Sequence, residues 1–61
     1  MDIYGNDSEL IVHLDISNDI DKTDLVKLVT AQLRSNDKFI EFINGETHIL
    51  IAIDKILRID I

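Results

Sequence analysis

The sequence predicts an α+β fold: a two-layer sandwich with one helix on a four-stranded mixed sheet, in the order β-α-β-β-β. Three observations lead there. Residues 9–16 alternate apolar and polar; Leu25, Leu28, Val29 and Leu33 repeat at helical spacing; and Asn44-Gly45 parts two further alternating runs.

Residues 1–8 are polar and without a period. They read as a flexible N-terminal arm, from which Ile3 or Tyr4 can dock on the body, and residues 9–61 make a single domain. In the first strand Leu10, Val12, Leu14 and Ile16 share one face, and Glu9, Ile11, His13 and Asp15 the other. Ser17-Asn18-Asp19 is a turn cluster. Asp21 can then cap a helix by accepting the N–H of Thr23 or Asp24. Ile20 and Leu25 occupy the two positions of a hydrophobic staple, and Asp24 suits the positive end of the helix dipole. Leu25, Leu28, Val29 and Leu33 form the apolar stripe, with Val26 on its flank. Ser35-Asn36-Asp37 ends the helix, and Arg34 lies near its negative pole.

Residues 38–43 read as the second strand. Asn44-Gly45 as a type I′ turn pairs Ile43 with Glu46, Glu41 with His48 and Phe39 with Leu50. Ile40, Phe42, Ile49, Ile51 and Ile53 then face the core. A corner at Asp54-Lys55-Ile56, made by a 3₁₀ turn or a bulged bend, sets Leu57, Ile59 and Ile61 inward beside Ile53, Ile51 and Ile49. The helix crossover makes the first two strands parallel, with a right-handed link.

A chain of 61 residues is one domain with a thin core, burying about 60% of what its unfolded form exposes. It has no cysteine, so no disulfide reinforces it and no thiolate can attack a substrate or bind metal. At 46% hydrophobic residues it is too apolar for disorder, yet no apolar run nears the roughly 20 residues of a membrane span. Met1-Asp2-Ile3-Tyr4-Gly5 has neither the basic start nor the apolar core of a secretion signal, so a cytoplasmic location is expected. Twelve isoleucines and nine aspartates, against six Ala, Gly, Pro and Arg together, suit the codons of a low-GC bacterium or its phage.

The charge is segregated. Residues 1–24 carry seven acids and one base, whereas residues 25–61 carry five of each and sum to zero. Such a field repels phosphate backbones and attracts a basic protein, so nucleic-acid binding is not expected. Acids at solvated loops and at a helix start give the same pattern without any partner.

No motif carries catalysis or a cofactor. Asp19-Ile20-Asp21-Lys22-Thr23 begins like a calcium loop, but Asp24 and Thr30 stand where glycine and glutamate are needed. Glu41 and His48 could serve acid–base or metal chemistry, and equally make a cross-strand ion pair on an exposed face. Gly5 and Gly45 lie too far apart for a phosphate loop. The chain is therefore expected to be no enzyme and to hold no metal.

One anomaly remains, on the sheet face away from the helix. Ile11, Phe39, Ile43, Leu50 and Ala52 all fall there, and apolar groups on neighbouring strands mark an interface. A homodimer joined through this face would thicken the core. With the acids Glu9, Asp15, Asp19 and Asp24, these apolar groups are the expected partner-binding residues.

From Ser8 onward the chain resembles the small proteins of unknown function carried by phages and prophages of low-GC bacteria, such as the YopT-like proteins of Bacillus prophages. The shared features are an apolar strand, an acidic cap, a helix through residues 23–34, and Lys38-Phe39-Ile40-Glu41-Phe42-Ile43 before the Asn44-Gly45 turn. The resemblance assigns no functional residue. The expected function is that of a small acidic protein that occupies a surface of a host or defence protein, as an inhibitor or partial nucleic-acid mimic. The alternative is a self-assembling structural or accessory subunit.

Overall fold

Ile3 is wholly buried, and the strand that carries it lies at the centre of a sheet. A computed structural model describes residues 1–61. Strand β1 (Asp2–Gly5) is followed by β2 (Leu10–His13), helix α1 (Lys22–Ser35), β3 (Phe39–Asn44), β4 (Thr47–Ala52), a 3₁₀ turn (Ile53–Lys55) and β5 (Ile56–Asp60). The α+β class holds. The strands, however, form two small antiparallel sheets, β2-β1-β5 and β3-β4, and not one four-stranded mixed sheet.

Three features account for the difference. First, part of the expected arm is the central strand β1, with β2 on one side and β5 on the other. Its in–out alternation spans too few residues to register as a period. Burying a side chain such as Ile3 contributes about 1.5–3 kcal/mol, which ties this segment down. Second, the β1–β2 connection is a tight hairpin. The Ser8 N–H donates to the Gly5 carbonyl at 2.9 Å, and Ser8 takes a left-handed φ of 62° where glycine is usual. β2 pairs with β1 and β3 with β4, in separate sheets, so α1 joins two sheets instead of crossing over one. Third, the 3₁₀ turn sends β5 away from β4 to pair with β1, so Leu57, Ile59 and Ile61 do not lie beside β4.

Two bulges reset which side chains face inward. Ile11 is the extra residue between the pairs Ile3–Val12 and Tyr4–Leu10, and Leu57 is the extra residue between Tyr4–Arg58 and Gly5–Ile56. Val12, Leu14 and Ile16 keep the inward face predicted for them, but Leu10 turns out and is 54% exposed. On β5, Ile56 replaces Leu57 against the core, while Ile59 and Ile61 face inward as expected but not beside β4.

The helix begins as predicted. The Asp21 carboxylate accepts the Thr23 N–H at 2.9 Å, and Asp24 lies in the first turn. Its buried stripe is narrower than the sequence suggests: Val29 is buried with Leu25 and Leu33 packed around it, but Leu28 and Val26 are exposed. Ile3, Leu14, Val29, Ile40 and Ile51 form the core, so both sheets and the helix meet in one small cluster.

The hairpin faces are those expected, in a register shifted by two residues. Asn44 pairs with Thr47, Phe42 with Ile49 and Ile40 with Ile51. The turn centres on Gly45-Glu46, and Gly45 alone has a positive φ, 63°; this is the II′ pattern, not the expected I′. A shift of two preserves the side-chain parity, so Ile40, Phe42, Ile49 and Ile51 still face inward.

Candidate functional site

The outer face of the β3–β4 hairpin is where apolar side chains meet water. Alternation along β3 puts Phe39, Glu41 and Ile43 there, and alternation along β4 adds His48, Leu50 and Ala52. Phe39 is 51% exposed, Ile43 76% and Leu50 59%. Leu50 stands opposite Glu41, and Phe39 opposite Ala52. His48 Nε2 meets a Glu41 carboxylate oxygen at 2.9 Å across the diagonal, since the register sets Ile43 directly opposite His48. The pair is exposed on both sides, so it is a surface cross-strand contact of small energetic weight.

The remaining predicted residues lie elsewhere. Ile11 sits at the β2 bulge, in the other sheet, and does not extend the hairpin face. Glu9 closes the β1–β2 turn: its carbonyl accepts the Gly5 N–H at 2.8 Å, and its side chain occupies the space where a Cβ on Gly5 would project. Asp19 is exposed in the turn before α1, its N–H donating to Ser17 Oγ at 3.2 Å. Asp24 is exposed on the first turn of α1. Asp15 reaches His13 Nε2 at 2.9 Å, while Asp2 holds His13 Nδ1 at 2.5 Å. These two carboxylates, Asp2 above all, raise the His13 pKa above the ordinary imidazole value. Both ring nitrogens of His13 are thus engaged by carboxylates at the surface.

His13 belongs to a polar surface. Asp2, Tyr4, His13, Arg58 and Asp60 share the outward face of the three-stranded sheet, and the Arg58 guanidinium lies 4.3 Å from the centre of the Tyr4 ring. The outward face of the three-stranded sheet is thus mostly polar, apart from Leu10 opposite Tyr4, and that of the hairpin mostly apolar, apart from the Glu41–His48 pair. No group of three or more His, Asp or Glu side chains is placed to hold a metal ion, and no helix is long and apolar enough to cross a membrane.

Gln32 is the residue that sequence reading misses. Its Nε2 donates to the Glu41 carbonyl at 3.1 Å, and its Oε1 accepts the Glu41 N–H at 3.2 Å. The side-chain amide thereby fills the open edge of β3 as a neighbouring strand would. Nothing in the sequence marks this, because Gln32 and Glu41 come together only when α1 packs beside β3. Beside this contact a shallow groove runs between α1 and the hairpin, lined by Leu28, Ala31, Phe42 and Ile43. The exposed Leu28 therefore extends the apolar region toward the helix.

No family model, curated protein or solved structure matches the chain.

Proposed function

We propose that the chain is a small acidic protein-binding module of a phage or other mobile element, acting in the cytoplasm of a low-GC bacterial host. It occupies a surface of a host or defence protein, and inhibition follows from that occupancy. The observation that carries this reading is the exposure of Phe39, Ile43 and Leu50 together on one hairpin face. The acids at the start of the chain add a second element. Asp15, Asp19 and Asp24 steer the protein toward a basic partner and partially mimic a phosphate backbone. The engaged nitrogens of His13 and the exposed Glu41–His48 pair fit binding better than catalysis.

The test is capture of a host protein by the parent chain, followed by association kinetics of two variants with that protein. Ile43→Lys should abolish binding at any salt. Asp15→Lys with Asp19→Lys should slow association at low ionic strength and matter little at high salt, since attraction is screened over about 8 Å at physiological ionic strength. A partner that binds Ile43→Lys as tightly as the parent would sink the reading.

In a second reading the same face takes another copy of the chain, as a homodimeric structural or accessory subunit. The thin core favours it, since only five apolar residues are buried. Leu50→Lys should then weaken the dimer sharply in sedimentation.

A further inference from the structure

The two sheets present four open strand edges, and three are guarded. The outer edge of β2 is broken by the Ile11 bulge and flanked by Glu9 and Asp15. That of β5 carries the Leu57 bulge with Arg58 and Asp60. That of β3 is filled at Glu41 by the Gln32 amide. Bulges, charges and covering groups are the usual means of keeping an edge from pairing. The outer edge of β4 has none of them within the strand; its nearest acids, Glu46 and Asp54, lie beyond its two ends, and no bulge or covering group adds to them. Thr47–Ala52 runs in unbroken register with β3, and contains no proline, glycine, Asp, Glu, Lys or Arg.

The turn determines which backbone groups this edge offers. Asn44 and Thr47 close a two-residue loop, so the pairs Asn44–Thr47, Phe42–Ile49 and Ile40–Ile51 exchange the ladder bonds. The Ile53 N–H donating to the Lys38 carbonyl at 2.8 Å continues the same alternation. His48, Leu50 and Ala52 must then turn both N–H and C=O away from β3, and no strand lies hydrogen-bonded on that side.

We infer that this edge pairs with β4 of a second copy, antiparallel about a two-fold axis at Leu50, to give a continuous sheet β3-β4-β4-β3. An antiparallel pair of identical strands is self-complementary: each row of donors and acceptors answers the other. The register centred on Leu50 sets Leu50 against Leu50 and His48 against Ala52, each pair exchanging both N–H···O bonds. Centring on His48 would set two imidazoles face to face. Two chains of net charge −6 repel, so the pairing should strengthen with salt; β4 itself adds no acid at the seam, and what favours the second copy as occupant is the self-complementary ladder. On the inner face Ile49 and Ile51 meet across the seam, which extends a core of only five buried apolar residues. The outer face stays open, so this seam is independent of partner binding and distinct from a dimer closed over that face.

Ala52→Pro tests the seam. Ala52 has φ −64°, close to the value of about −65° that a proline ring imposes. Its N–H points away from β3, so the change removes an outward donor and no bond of the hairpin. Sedimentation of the parent should show a dimer that dissociates on dilution. Ala52→Pro should weaken it by tenfold or more while keeping the parent's circular dichroism. Ile43→Lys, on the face but off the edge, should leave the dimer intact. Hydrogen exchange of the parent supplies a readout that needs no variant: the His48, Leu50 and Ala52 amides should gain protection as concentration rises. A parent that is monomeric at several hundred micromolar overturns the inference. So does a dimer unaffected by Ala52→Pro, or one dissolved by Ile43→Lys with those three amides unprotected, which would place the contact on the face.

Discussion

Gln32 and Glu41 are joined as if they were neighbours in a sheet: the side-chain amide of one pairs with the backbone N–H and C=O of the other, at 3.2 and 3.1 Å. This contact anchors α1 to the edge of β3 and denies that edge to other strands. Gln32→Ala should therefore lower stability by about 1–3 kcal/mol, the net worth of the two hydrogen bonds lost, and should make the protein more prone to associate. Urea denaturation and light scattering would read the two effects. An unchanged midpoint with unchanged scattering would mean that the edge is not held this way.

The Gly45 turn makes a second prediction. Its φ of 63° is one that β-branched residues resist, and no heavy atom lies within 4 Å of where a Cβ would stand. Strain in the backbone alone should thus set the cost of Gly45→Val, about 1–3 kcal/mol. A D-alanine at the same position should be tolerated. If both substitutions cost the same, crowding and not backbone geometry would be responsible.

Ile3 distinguishes a strand from an arm. It is 0% exposed, so Ile3→Ala should cost about 2–5 kcal/mol through lost burial and the cavity left behind. In so small a domain that is enough to unfold much of the population at room temperature. A thermal melt superimposable on the parent's would show that residues 2–5 contribute nothing to the core.

His13 gives a pH dependence. Its pKa is raised by hydrogen bonds that the ring donates to Asp2 first and Asp15 second, so protonation is favoured in the folded state. The resulting stabilisation is fully present below the unfolded imidazole value of about 6.5, and is lost as pH rises through the higher folded value. Asp2→Asn should pull the His13 midpoint down and flatten stability over that window. A proton NMR titration of the His13 ring decides it: a parent midpoint at or below the ordinary imidazole value would contradict the structure.

The features legible in the sequence are local ones. Asp21 was readable as the helix cap because capping chemistry depends on residues two positions apart. The inward set Ile40, Phe42, Ile49 and Ile51 was readable because alternation survives a register shift of two, and the exposure of Phe39, Ile43 and Leu50 follows from the same parity. A 3₁₀ turn follows from a corner that lacks glycine, although it spans Ile53–Lys55, one residue earlier than the expected Asp54-Lys55-Ile56.

Tertiary structure alone decided which strands meet. β1 is recruited by β5, which begins some fifty residues further along, and no local signal announces so distant a pairing. The bulges at Ile11 and Leu57 are set where the partners of β1 must fit its turn, and they turn Leu10 and Leu57 outward against the plain alternation of the sequence. Gln32 caps the edge of β3 because α1 packs beside it, and no element lies hydrogen-bonded along the outer edge of β4. Periodicity records which face of a strand is buried. It holds no record of the strand's neighbours, because backbone hydrogen bonds are the same for every residue type except proline.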